Sequence, residues 1–150
     1  MIFVTVGTTQ FDELIRAVDQ VAGSGRFSQA FLCQIGAGQY IPEHCEHFRF
    51  APTIAPQIAQ AELVITHGGA TTLQLVKGAK RFVAIANTAL SDDHQSLFLR
   101  HLGESADIVW GRDPQQLGEL MDKALAAPPP QIHTPSLGQA IIADVYGVQD

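Results

Sequence analysis

Six short apolar runs alternate along the chain with stretches in which apolar residues recur every three or four positions. The runs are Ile2 to Val6, Ala30 to Ile35, His47 to Ala51, Leu63 to Thr66, Arg81 to Ala86 and Asp107 to Trp110. They are continuous more than alternating, which predicts strands covered on both faces. After the first run, Phe11, Leu14, Ile15, Val18, Val21 and Ala22 keep helical spacing, with Thr9 as the expected cap and Asp12 three residues on. Gly23-Ser24-Gly25 ends that helix, Gly36-Ala37-Gly38 ends the second strand, and residues 39–46 read as a polar loop. Pro52 with Ile54, Ile58, Ala59 and Ala61 predicts a short helix, and Leu73, Leu75 and Val76 another that stops at Gly78. Leu97, Phe98, Leu99 and Leu102 predict a helix capped by Ser91 or Asp92. Asp113-Pro114, with Gln116, combines a cap acid, a proline at the first helical position and an amide at the third. Leu117, Leu120, Met121, Ala124 and Leu125 are the buried face of the helix that follows.

Strand and helix alternate throughout. The pattern predicts an α/β fold: an open, parallel, six-stranded Rossmann-like sheet with helices on both faces. Residues 1–126 are expected to form this domain. The prolines of Ala127-Pro128-Pro129-Pro130 break the last helix and open a linker over 127–135. Residues 136–150 read as a final helix capped by Ser136, with Ile141, Ile142, Val145 and Tyr146 on one side. That side is fit either to dock on a partner or to pack on its own domain.

Composition narrows the function classes. The chain has 150 residues, 46% of them hydrophobic, enough for the core of one domain. No stretch approaches the length of a membrane span. Met1 to Gly7 lacks a basic leader and is expected to enter the first strand directly, not to act as a signal peptide. The net charge of −6 argues against nucleic acid and against general attraction to anionic membranes. Lys77, Lys80 and Arg81 are either a small anion-facing patch or a solvated helix end. Cys33 and Cys45 lack metal-ligand spacing, and a reduced cytosolic state is the simplest reading.

In parallel sheets, ligands sit beyond the C-terminal ends of the strands. Three turns expected there are rich in glycine or hydroxyl residues: Gly7-Thr8-Thr9, Gly36-Ala37-Gly38 and Gly68-Gly69-Ala70-Thr71-Thr72. Converging N–H groups and hydroxyls suit a diphosphate. None of the turns matches the phosphate loop of ATPases or the dinucleotide fingerprint. His67 ends the fourth strand, either as a border of the phosphate site or as a histidine satisfied by the fold. His94 and Gln95 follow the cap acids, and their side chains both donate and accept, which suits sugar hydroxyls. His44-Cys45-Glu46-His47 is irregularly spaced for a metal, and none is expected. No nucleophile, base or catalytic residue can be singled out.

Five segments in order carry a family likeness. They are Ile2 to Thr9 with Phe11 to Ile15, then Gln34-Ile35-Gly36, then Ala61 to Gly69, then Gly78-Ala79-Lys80, and Asp93-His94-Gln95. Over about residues 1–110 the chain resembles the C-terminal domain of family 28 glycosyltransferases. It is most similar to the stand-alone forms: the small soluble N-acetylglucosamine-transferring subunits of the dolichol pathway and the bacterial exopolysaccharide subunits. The resemblance implies the donor-binding half of a GT-B fold. Gly7, Thr8, Thr9, Gly68, Gly69, Ala70 and Thr71 would then lie by the diphosphate of a UDP-sugar. Ala51, Pro52, Thr53 and Ile54 would lie by the base, and His67, His94 and Gln95 by the donor sugar. The UDP-sugar is a substrate, and no cofactor is implied. The implied partner is a membrane-anchored, acceptor-binding subunit, which would bring a cytoplasmic chain to the inner membrane.

One departure stands out. The resemblance implies a glutamate in the helix after the His-Gly-Gly turn; the nearest polar residue here is Gln74, in Thr71-Thr72-Leu73-Gln74-Leu75, and the interval from His67 to Gly78 is about two residues shorter. Gln74 could still bond a ribose hydroxyl, but more weakly than a charged acceptor. Three functions stay open: a donor-binding subunit of an active glycosyltransferase, inactive alone; a degenerate nucleotide-sugar-binding or scaffolding module; or an unrelated nucleotide-binding α/β protein.

Overall fold

A computed structural model describes residues 1–89 and 93–133. Its elements in chain order are β1 (Ile2–Thr5), α1 (Asp12–Gly23), β2 (Phe31–Gln34), β3 (Glu46–Phe48), α2 (Ala55–Gln60), β4 (Leu63–His67), α3 (Thr71–Lys77), β5 (Phe82–Ile85), α4 (His94–Ser105), β6 (Val109–Gly111) and α5 (Leu117–Ala126). All six strands are parallel, in the order β3-β2-β1-β4-β5-β6. The chain winds outward from β1 to β3, then returns past β1 to begin the other half at β4. A crevice must open where the connections from β1 and β4 part in opposite directions, beyond the strand ends.

Side chains alternate across this sheet, so each central strand feeds two cores. Ile2, Val4 and Ile65 pack with Leu14 and Val18 of α1 and Met121 of α5. Phe3, Val64 and Ala84 pack on the other face with Leu75 and Val76 of α3 and Phe98, Leu99 and Leu102 of α4. Phe3 and Phe98 are wholly buried, each contributing roughly 2–3 kcal/mol by removal of apolar surface from water. The ring of Phe3 also stacks on Phe48 at 6.3 Å, tying the edge strand β3 to the centre.

Where observed elements differ from the expected ones, a competing hydrogen bond explains it. Helix α1 begins at Asp12 with no side-chain cap. The Thr9 hydroxyl donates instead to Val6 O at 2.8 Å and closes the turn after β1. Asp12 accepts from the Gln39 and Tyr40 nitrogens, so it anchors the loop after β2. That polar loop is also fixed from beneath by Asp19, which is 3% exposed on α1. Its carboxylate accepts from Tyr40 Oη, Glu43 N and His44 N. Strand β3 lies at Glu46–Phe48, not at 47–51, because its register runs Leu32↔Glu46 to Gln34↔Phe48 and β2 ends there.

Asp113 does cap, accepting from Gln115 N at 2.9 Å, though the first turn over Pro114–Gln116 is 3-10 and α5 follows it. Beyond α5, Ile132 bridges Ala106 and packs on the α4 face, so 127–133 runs along the domain. The expected cap at Ser91 or Asp92 lies outside the described residues, as do the end of the linker and the helix expected over 136–150. Asp93 stands at the cap position of α4 and bonds Arg112.

Candidate functional site at the β1–β4 switch point

Three buried polar residues stand side by side toward the C-terminal ends of the central strands: Gln34, Thr5 and Thr66. Thr5 Oγ1 donates to Gln34 Oε1 at 2.5 Å, and Thr66 Oγ1 donates to Thr5 O at 3.0 Å. Thr5 Oγ1 also accepts from Gly7 N at 3.0 Å. This polar layer turns each strand end outward and carries the turns above it. It was hidden in the sequence because each residue sits within or at the end of an apolar run. Its trace is a polar residue at or next to the end of the first, second and fourth runs.

The first turn is Gly7-Thr8-Thr9. Gly7 has φ +63°, a conformation open to glycine at little cost. Thr8 and Thr9 are exposed. The second turn, His67-Gly68-Gly69-Ala70, closes into α3 through Thr72 N to Gly69 O at 3.1 Å and Thr72 Oγ1 to the same oxygen at 2.7 Å. Among the described residues, the N–H groups of Gly69, Ala70 and Thr71 bond to no other group of the fold. His67 lies between the two turns. A Cβ placed on Gly7 would stand 3.9 Å from His67 Nε2, and one on Gly69 would stand 2.5 Å from His67 Cε1. Gly68 and Gly69 are therefore required by close approach. A Cβ on Gly68 would meet Leu99 Cδ1 at 2.8 Å, and one on Gly69 would meet the imidazole.

Gln95 closes the arrangement from α4. It is buried, its Oε1 accepts from Gly68 N and Asn87 N, and its Nε2 meets His67 Nδ1 at 2.9 Å. Asn87, at the end of β5, also donates to Gln10 O at 3.4 Å and so links the β5 end to the loop after β1. Burial lowers the His67 pKa below the ordinary histidine value, against the opposing pull of Gln95. The site thus holds neutral donors: backbone N–H groups, threonine hydroxyls and an imidazole. A cleft of about 530 Å3 opens beside them, between Gln10 to Glu13, Gln39 and Asn87.

The other expected residues fall at varied distances from this centre. Ala70 and Thr71 begin the first turn of α3, and His94 is exposed at the start of α4. Ala51, Pro52, Thr53 and Ile54 lead from β3 into α2, on the sheet face that also carries α3. Gln74 is exposed on that helix. No hydrogen bond joins residues 51–54 or Gln74 to the His67 turn among the described residues.

The Gly36-Ala37-Gly38 turn is not a third anion cradle. Its Ala37 and Gly38 nitrogens bond Thr9 O and Ile35 O, and its Gly36 and Gly38 carbonyls face the Arg49 guanidinium. Gly36, at φ +57°, backs the first turn so closely that a Cβ there would lie 2.2 Å from Thr9 O. The basic group is also elsewhere. Lys80 Nζ bonds Ala61 O and Arg81 Nε bonds Ala127 O, both at the opposite end of the strands. A cleft of about 370 Å3 near Arg81, Asp107 and Lys123 lies at that end too. Neither His44 nor Cys45 points to a metal site: the exposed His44 lays its ring over Gly23, and the half-buried Cys45 lies against the α1 face of the core that holds Cys33. The neighbouring Cys45 thiol, then burial, push the Cys33 thiol far up. Among the described residues, no group of three histidine, cysteine or acidic side chains could hold a metal.

Residues 1–128 match the model of the glycosyltransferase family 28 C-terminal domain. The chain is 31% identical over 122 residues to the human UDP-N-acetylglucosamine transferase subunit ALG13, covering 73% of this chain and 11% of that one. It is 30% identical over 121 residues to the mouse subunit of the same name, covering 72% and 10%. The chain thus spans about a tenth of the length of these curated relatives. In three dimensions it is similar to the solution NMR structure of ALG13, with a TM-score of 0.60 at 17% identity, covering 97% of this chain and 96% of that one. It is also similar to the crystal structure of the kitacinnamycin glycotransferase, with a TM-score of 0.57 at 14% identity over 99% of this chain and 38% of the other. Both likenesses speak to the fold.

Proposed function

The chain belongs to the family of glycosyltransferase family 28 C-terminal domains, and on that premise we propose that it is the donor-binding subunit of a glycosyltransferase, moving a sugar from a UDP-sugar to a lipid-linked acceptor. The reading rests on one observation above the others. The Gly7 and Gly69 turns face each other across a neutral imidazole at the β1–β4 switch point, with open N–H groups beside it. Such donors suit a pyrophosphate, and they would also stabilise the negative charge that grows on it as the sugar leaves. The relatives' name, a UDP-N-acetylglucosamine transferase subunit, agrees with that class of donor.

The acceptor side would come from a separate, membrane-associated subunit, so the chain is inactive alone and works at the cytoplasmic membrane face. No helix among the described residues is long and apolar enough to cross a membrane. Support for a covering partner comes from the large apolar side chains most exposed among the described residues. Ile41, Phe50 and Leu97 are 46%, 58% and 43% exposed, and two of them, Phe50 just after β3 and Leu97 in the first turn of α4, lie toward the C-terminal ends of the strands, where the site also lies. Exposed apolar groups gathered at one end of a domain mark an interaction surface.

Calorimetry of the isolated chain with UDP-N-acetylglucosamine, UDP-glucose and UDP tests the proposal. Binding of at least one is expected, and none at millimolar concentration would remove the donor reading. One feature favours the second reading, a degenerate binding or scaffolding module: Gln74, uncharged and exposed, is the nearest polar residue to the glutamate that the resemblance implies in this helix. Gln74→Glu is expected to tighten the nucleotide sugar by about 5-fold, the difference between a neutral and a charge-assisted hydrogen bond to a ribose hydroxyl. Unchanged affinity in the same calorimeter would show that position 74 does not meet the ribose.

A further inference from the structure

Gln95 is 7% exposed in the first turn of α4, with its amide turned back toward His67. One end of the amide stands 3.1 Å from Gly68 N and 2.8 Å from Asn87 N. Backbone N–H groups only donate, so that end is the oxygen. The other end is the nitrogen, 2.9 Å from His67 Nδ1. An amide nitrogen also only donates, so Nδ1 must accept, and a neutral histidine that accepts at Nδ1 carries its proton at Nε2. Nε2 is the ring atom 3.9 Å from the Cβ position of Gly7, on the side of the first turn.

We propose that Gln95 is a positioning residue that locks His67 as the neutral Nε2–H tautomer, so that the diphosphate of a nucleotide sugar meets a fixed proton donor and not an imidazolium. The identity of the ligand rests on the donor-binding reading, whereas the tautomer does not. A proton added at Nδ1 would face the Gln95 NH2, donor against donor. Turning the amide over to receive it would leave Gly68 N–H and Asn87 N–H without their acceptor. Burial acts in the same direction and disfavours the charged ring. Among the described residues, the groups placed against His67 are the Gly7 and Gly69 backbones and the Gln95 amide, with Asn87 behind that amide, none of them titratable. Among the described residues, the ionisable neighbours at the start of α4 are Asp93, which is paired with Arg112, and the exposed His94.

Nitrogen-15 spectra of the imidazole rings read the tautomer in the free chain. His67 is expected to show a protonated Nε2 and an accepting Nδ1 from about pH 6 to 8, the range in which an ordinary histidine titrates. Gln95→Glu keeps an oxygen for Gly68 and Asn87 but offers Nδ1 an acceptor, so the His67 titration should move upward. UDP-N-acetylglucosamine keeps its diphosphate charge over this range. Its affinity should stay flat with pH for the native chain and rise as pH falls for Gln95→Glu. A native His67 protonated at Nδ1, or an unmoved titration in Gln95→Glu, overturns the assignment. A merely structural glutamine would lower stability without moving that titration. If Gln95→Glu does not fold, the native spectrum decides alone. The expected tautomer without nucleotide-sugar binding supports the role of Gln95 and removes the donor reading.

Discussion

Asp19→Ala is expected to lower the unfolding free energy by about 3 kcal/mol at neutral pH, because it removes a buried carboxylate that accepts from three part-buried donors. Asp19 holds the loop after β2 from below, through Tyr40 Oη at 2.6 Å, Glu43 N at 3.0 Å and His44 N at 2.7 Å. Tyr40 can turn its hydroxyl to water, but the two backbone nitrogens are held in place. For a domain of this size the change corresponds to a fall in melting temperature of roughly 6–12 °C. Asp19→Asn should fall between the two, since its amide oxygen restores part of the acceptor set while its NH2 opposes the rest.

The effect carries a pH signature. Burial alone would raise the Asp19 pKa, but the bonds from Tyr40, Glu43 and His44 reverse that and hold it below the ordinary value of 3.8. A carboxyl with a lower pKa in the folded state stabilises the fold fully above its unfolded pKa. It loses that contribution as pH falls through the folded value. The gap between native protein and Asp19→Ala should therefore be widest at neutral pH and narrow below about pH 4. Urea unfolding at pH 7 and in acid reads both points. A gap under 1 kcal/mol at neutral pH, or one that does not narrow in acid, would mean that Asp19 does not anchor this loop.

Gly69→Val is expected to weaken UDP-N-acetylglucosamine by about 100-fold, close to 3 kcal/mol, while leaving the fold intact. A side chain at position 69 begins 2.5 Å from His67 Cε1, so either the imidazole or the turn must move. Moving either one misaligns the donor groups of the turn and of His67 together. Two or three charge-assisted hydrogen bonds are then lost or lengthened, each contributing about 1.5–3 kcal/mol. The fold is expected to survive because Gly69 is only half-buried and meets the His67 ring, not the side chains of either core. Circular dichroism and calorimetry on one preparation separate the two effects. Native-like affinity in a folded variant would show that the diphosphate does not lie at this turn.

The architecture was legible because its cause is local. Apolar runs of four to six residues separated by helical periodicity leave few folds other than a covered parallel sheet. The two glycine turns could be placed for the same reason: each follows an apolar strand and precedes a helical pattern. Their mutual approach could not, since it depends on strand order, and the β1–β4 neighbourhood joins residues about sixty positions apart. The Gly36 turn shows the limit most clearly. By composition it matched the other two, yet Arg49 and Thr9 O occupy its polar groups. Only the packing of β2 beside β1 reveals that it supports a site turn without being one.

Gln95 shows the same limit from the other side. Its identity and its neighbour His94 drew attention to sugar hydroxyls, and the structure shows in addition that its amide holds Gly68, Asn87 and His67. Asp19 was passed over as one polar position within an amphipathic helix. By itself the sequence determined the α/β class, the positions of the strand-end turns and the family. Periodicity, turn chemistry and motif order are all written in neighbouring residues. Tertiary structure alone decided which turns face each other, which polar side chains are used up in holding them, and which ring nitrogen of His67 is left to donate. Those outcomes depend on hydrogen bonds between segments far apart in the chain, and a buried donor takes whichever acceptor the packing brings to it.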